Sequence, residues 1–416
     1  MIHLLVLGIR FILFILLMNA QRFYPVLATL ALGLLTSCDK SSTESVRPES
    51  ESTYTRLVVS DKTSSAVTFL DPAKNEQSAF QASFGGSTVY PSATGRWAVV
   101  VNSANSMVEF FDTGIERHDN HVHIKGTPKW GTTRSAGPSP SHVYSSHNQI
   151  SIFNDGNASI SYVQEGQLHT LPAPGTIATG TAHHGAMVLF DNGNYAVTHK
   201  NNSVSGALPE QVKIVNAQGA VVHAPALATK GIHGDAADGQ QALFGTVDGV
   251  LVVRQTGEQR LIPYPAGSGT NWLSSIYYAK KARTFLGSRN NYGIFRIDPA
   301  ANTMTQMGST TKFVRVALDE EGESVLVLDE DGTLSSYDAA TGTRQASRSL
   351  VGLLDVKAAM PYLVASRQYV YVSNAPAGKV HMLRKADLTD RQTFVIAGEP
   401  SRLALVGADV DEESGH

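Results

Sequence analysis

The sequence predicts an all-β chain folded as a β-propeller of four-stranded antiparallel blades, with eight blades expected and seven as the alternative. Three observations carry this. From about residue 55 onward there is no amphipathic helical pattern; short runs rich in Val, Ile, Phe and Tyr alternate with Gly, Asn, Asp and Pro turns. An apolar strand, often entered from a glycine turn and left through Asp or Asn, recurs along the chain. The recurrences are spaced about 44 residues apart on average, the length of a four-stranded blade.

The eight instances begin with Val67-Thr-Phe-Leu-Asp71, Met107-Val-Glu-Phe-Phe-Asp112, Ala158-Ser-Ile-Ser-Tyr-Val163 and Val212-Lys-Ile-Val-Asn216. They continue with Gly249-Val-Leu-Val-Val253, Tyr292-Gly-Ile-Phe-Arg-Ile-Asp298, Gly332-Thr-Leu-Ser-Ser-Tyr-Asp338 and Gly378-Lys-Val-His-Met-Leu383. The repeat region opens near Arg56 with what read as the later strands of a blade. It closes with Ser401-Arg-Leu-Ala-Leu-Val406, which reads as an innermost strand. Pairing the two ends closes the ring and removes the exposed sheet edge.

The segment before the repeats has a different composition. Two apolar runs, residues 2–18 and Phe23 to Leu35, precede Leu35-Thr36-Ser37-Cys38. Residues 1–37 therefore read as an export leader, with Met18 as an alternative start and a membrane-spanning first run as the other reading. The last four residues resemble a bacterial lipobox, which implies lipidation of Cys38. Residues 38–54 are polar and read as a flexible tether, and 409–416 as a disordered tail. The expected domain is thus a propeller over 55–408, periplasmic and tethered to a membrane by lipid.

Cys38 is the single cysteine, so the propeller has no disulfide and no thiolate ligand. Its stability must come from buried apolar surface. The net charge of −3 is spread without runs and gives no footprint for nucleic acid.

Histidines stand out by position. Of 14, all but three, counting His3 in the leader, lie between His118 and His233. The densest group is His118-Asp119-Asn120-His121-Val122-His123, in which His121 and His123 share a strand face. Imidazoles with a carboxylate are a ligand set that zinc accepts without sulfur; a polar loop of exposed histidines is the alternative. A second group emerges from the repeat. The innermost strands of three successive blades start near His142, His184 and His233, 42 and 49 positions apart, so the three converge at one mouth of the axial channel. His183 and Asp235 lie beside them. By strand direction, His147 belongs with the 118–123 group at the opposite mouth, giving two sites. His169, His199, His223 and His381 have no such company and read as structural or surface residues.

These residues resemble the periplasmic zinc metallochaperones of the AztD type. The matching stretches are the 118–123 cluster, Ser141-His142-Val143, Ser146-His147-Asn148, Ala182-His183-His184-Gly185 and Gly231-Ile232-His233-Gly234-Asp235. Asp248-Gly249-Val250-Leu251-Val252-Val253 and Leu261-Ile262-Pro263-Tyr264-Pro265 follow in the same order. The resemblance implies zinc as the bound ion and the solute-binding protein of a zinc ABC importer as the partner, with no catalysis. The chain departs from the family pattern in having Gly234-Asp235 where a Gly-Glu pair is usual, and in lacking a cysteine pair in the fourth and fifth blades. A zinc-dependent propeller hydrolase or lactonase, with Asp235 as base, and a metal-free interaction scaffold are the competing functions.

Overall fold

A computed structural model describes residues 52–118, 121–135 and 137–407. The leader, Cys38, most of the tether, Asp119 and the 409–416 tail lie outside the described residues. Eight four-stranded antiparallel sheets form the blades of a β-propeller. Blades 1 to 7 span 88–135, 140–178, 187–223, 235–262, 275–307, 313–349 and 363–395; blade 8 combines 400–407 with 55–81. Each of the eight recurrences in the sequence is the third strand of its blade, from Ala66–Asp71 to Lys379–Arg384. Third strands are buried on both faces, which is why their apolar signal is the clearest.

The ring closes as the sequence predicts. The last strand, Pro400–Gly407, is innermost in blade 8 and pairs along its length with Thr55–Asp61. Asp61 pins this seam: its carboxylate accepts the amides of Thr63 at 2.9 Å and Ser64 at 2.6 Å, and that of Glu399. Burial by itself raises the Asp61 pKa, but these amides outweigh it and hold the carboxyl below its ordinary range. Glycines make the close approach possible. The Gly407 amide donates to the Gly95 carbonyl at 2.6 Å, and both residues have positive φ.

The core lies between adjacent blades. Between blades 8 and 1, Val58, Phe69, Val89, Val100, Phe111 and Val406 are buried together. The Phe111 ring packs against Phe69 and Trp130 at centroid distances of 5.7 and 5.2 Å. Each such side chain contributes about 1.5–3 kcal/mol on burial. Equivalent clusters repeat around the ring, so stability needs no disulfide.

One element is extra to the blades. Between the third and outermost strands of blade 1, Ile115–His118 and His121–Ile124 form a separate two-stranded hairpin. The outermost strand of blade 1 begins only at Lys129.

Candidate metal centre at the channel mouth

Three imidazoles meet where the innermost strands of blades 2, 3 and 4 begin. His142 lies in the strand Pro140–Ser146, His184 just before Met187–Leu189, and His233 just before Asp235–Ala237. Their ring centroids are 5.2 Å apart for His142–His184, 5.3 Å for His184–His233 and 6.2 Å for His142–His233. Zinc bound at about 2.0–2.1 Å by two imidazole nitrogens in tetrahedral array sets their ring centroids about 5.2 Å apart. Two pairs meet that spacing, and the third is wider by about 1 Å. Among the described residues, no three His, Cys, Asp or Glu side chains form a closed metal cage.

The second nitrogens are committed in a way that leaves the first free. His184 Nδ1 donates to Asp155 Oδ2 at 2.6 Å, and His233 Nδ1 donates to the Ser274 carbonyl at 2.8 Å. With Nδ1 donating, Nε2 is the nitrogen left to each ring for a metal. His142 Nδ1 lies 3.9 Å from Asp235 Oδ1. Asp155 is itself held: Ser141 Oγ donates to its Oδ1 at 2.5 Å and the Gly185 amide at 3.3 Å. A carboxylate or carbonyl behind an imidazole is the usual arrangement for fixing the tautomer and aim of a metal ligand.

The electrostatics differ around the ring. Burial, then the neighbouring His184 and His233, push the His142 pKa down to about 4, so it is neutral near pH 7. The hydrogen bond to Asp155 outweighs burial at His184 and raises its pKa. Burial raises Asp155, but its bonds from His184 and Ser141 prevail and keep it ionised. Burial pushes Asp235 up to about 7.

Neighbouring positions in the sequence separate in space. His183 is 6% exposed and points into the protein, where Nδ1 meets the Thr181 carbonyl at 2.7 Å and Nε2 meets Thr198 Oγ1 at 2.9 Å. Its ring packs on Phe153. Both nitrogens are used, so of the His183-His184 pair only His184 offers a free nitrogen to the mouth. Sequence reading missed Asp155, which lies 29 positions from His184 in an Asn-Asp-Gly turn; only the blade register brings them together.

Against solved structures, the chain superposes on AztD from Citrobacter koseri with a TM-score of 0.76 at 20% identity, covering 86% of this chain and 99% of that one. Apo AztD from the same organism gives 0.76 at 21%, with 85% and 98% covered. The chain shares its fold with AztD. The dihydro-heme d1 dehydrogenase NirN in complex with DHE also superposes, with a TM-score of 0.59 at 15% identity over 89% and 78% of the two chains. At these identities the likeness establishes architecture. No protein-family model matches the sequence.

The other predicted site residues of this AztD-like propeller lie at its far end. Innermost and third strands of a blade run the same way, so the turn after Ser146 and the hairpin after Asp112 both sit opposite the three-histidine mouth. His147 occupies that turn with φ of 53°, its Nε2 3.9 Å from Asp191. In the hairpin, the register sets His118 opposite His121 and Glu116 opposite His123. Glu116 is already neutralised by Arg96 at 2.5 Å and Lys125 at 2.7 Å. Arg117, beside it, lines a cavity of about 1000 Å³ at this mouth. His169 is structural: it bonds Asp112 at 2.8 Å and packs on Trp97.

Proposed function

We propose that this protein binds zinc at the channel mouth through His142, His184 and His233, with Asp235 as the adjoining carboxylate. It carries the ion rather than transforming a substrate. The observation that carries this reading is the pairing of Nδ1 on His184 with Asp155 and on His233 with Ser274, which leaves Nε2 uncommitted on two rings whose centroids are 5.3 Å apart. A shared architecture with AztD supports it. As a zinc metallochaperone it serves the solute-binding protein of a zinc ABC importer. The lipobox-like Leu35-Thr36-Ser37-Cys38 supports a periplasmic, lipid-tethered protein in this reading, with the lipid and the tether keeping donor close to acceptor.

The hairpin histidines His118, His121 and His123, with Asp119 and His147, form a second, exchange site in this proposal. A ribbon outside the blades is free to present ligands to a partner, whereas the channel mouth is held by eight sheets.

Competition against a chelating dye tests the reading. The expected result is tight zinc binding that His142→Ala, His184→Ala and His233→Ala each weaken, with one equivalent separately removed by His121→Ala plus His123→Ala. Zinc stoichiometry unchanged in the first three variants would refute the channel site. Turnover of esters, lactones or phosphoesters by the zinc-loaded protein would instead favour a hydrolase.

A further inference from the structure

The proposed zinc ligands come from blades 2 to 4. Beside them, between blades 5 and 6, lies a smaller cavity of about 360 Å³ whose lining has the opposite character. It begins at Ser274, whose carbonyl orients His233, and includes Arg289, Arg315 and Tyr277. Several arginines of the described residues are matched to acids: Arg56 to Asp71 at 2.7 Å, Arg96 to Asp112 at 2.9 Å, Arg367 to Glu321 at 2.7 Å. These two are not.

Arg289 is fixed by stacking, its guanidinium 4.4 Å from the centre of the Trp272 ring. Its Nη1 is buried and has no hydrogen-bond partner among the described residues. Arg315 stacks on Tyr362 at 4.8 Å and spends only Nε, on the Pro361 carbonyl at 3.3 Å. Arg402 stacks on the same Tyr362 at 5.3 Å and adds a further uncompensated charge. Burial first, then Arg402, draw the Arg315 pKa below its ordinary range. One acid reaches the cavity: Glu330, exposed at its edge, accepts from Asn290 at 3.0 Å.

A buried guanidinium nitrogen without a protein acceptor is costly, and in native proteins water, an ion or a ligand usually supplies one. Guanidinium forks match the oxygens of carboxylates and phosphates. The volume is at the low end for ligand sites, which run from about 300 to 1,000 Å³. We propose that the cavity between blades 5 and 6 is an anion site in which Arg289 and Arg315 clasp a small oxyanion, a carboxylate or a phosphate. The site stands on its own residues and needs no metal.

The test is titration of the metal-free full chain in low-chloride buffer with inorganic phosphate and, separately, with succinate, read by calorimetry and thermal shift. The expected result is saturable binding of at least one, weakened tenfold or more by Arg289→Gln and by Arg315→Gln. Arg260→Gln, at a half-buried arginine outside the cavity bonded to Asn302 and the Pro299 carbonyl, leaves it unchanged. The tighter of the two ligands names the chemical class. No saturation by either ligand, or wild-type binding in both variants, overturns the proposal. If circular dichroism shows the variants misfolded, selenate soaked into wild-type crystals decides: an anomalous peak between Arg289 and Arg315 upholds the site, and its absence overturns it.

Discussion

His184 Nδ1 and Asp155 Oδ2 stand 2.6 Å apart across the boundary between blades 2 and 3. The pair gives the mouth its most directed imidazole, because Asp155 is anchored in turn by Ser141 and the Gly185 amide. Asp155→Asn keeps the shape but removes the charge that favours the Nδ1–H tautomer. Zinc affinity at pH 7.5 is expected to fall about 10- to 100-fold, the usual cost of losing such a partner. Equal affinity in a competition titration would mean that Asp155 does not orient a ligand.

Acid release of zinc should follow His184. Its pKa is raised by Asp155, so protons compete for its nitrogen from above the ordinary histidine range, while His142 stays neutral down to about pH 4. Removing the Asp155 charge should therefore make zinc affinity less dependent on pH between about 8 and 6, even as affinity at neutral pH drops. An unchanged or steeper pH dependence in the variant contradicts the assignment.

In the metal-free protein, His142 and Asp235 pull stability in opposite directions. His142 is depressed to about 4, so as pH falls from 6.5 the unfolded chain takes up the proton first and stability is lost. Asp235 is raised to about 7, so its contribution is full below 3.8 and is lost as pH rises through 7. Each slope is at most about 1.4 kcal/mol per pH unit. His142→Gln leaves Asp235 unopposed: between pH 7 and 5 its stability relative to wild type should rise as pH falls. Urea unfolding midpoints at the two pH values measure this.

The adjacent histidines should part company on substitution. His183→Ala strands the Thr181 carbonyl and Thr198 hydroxyl and opens space against Phe153, costing about 2–4 kcal/mol with zinc stoichiometry intact. His184→Ala, at a partly exposed site, should change stability little and abolish channel-mouth zinc. Calorimetry of both variants separates the roles; the reverse pattern would exchange them.

Gly95→Ala probes the seam. A Cβ there collides with the Gly407 carbonyl oxygen, at a φ of 76° that alanine resists. The expected loss is about 2–4 kcal/mol, read as a lower thermal midpoint, with zinc affinity unaltered in the folded protein.

By itself the sequence determined the blade period, the ring closure and the convergence of His142, His184 and His233. All three depend on local alternation repeated at a fixed interval, and a propeller turns equal intervals into equal positions around one axis. Tertiary structure alone decided the rest. Whether His183 or His184 faces the mouth turns on the local backbone path, not on residue type. Asp155, Ser274 and the unpaired Arg289 and Arg315 carry no mark in the sequence, because a turn aspartate or a strand arginine looks the same wherever it lies. Their chemistry is set by which neighbour the next blade supplies, and by which neighbour it does not.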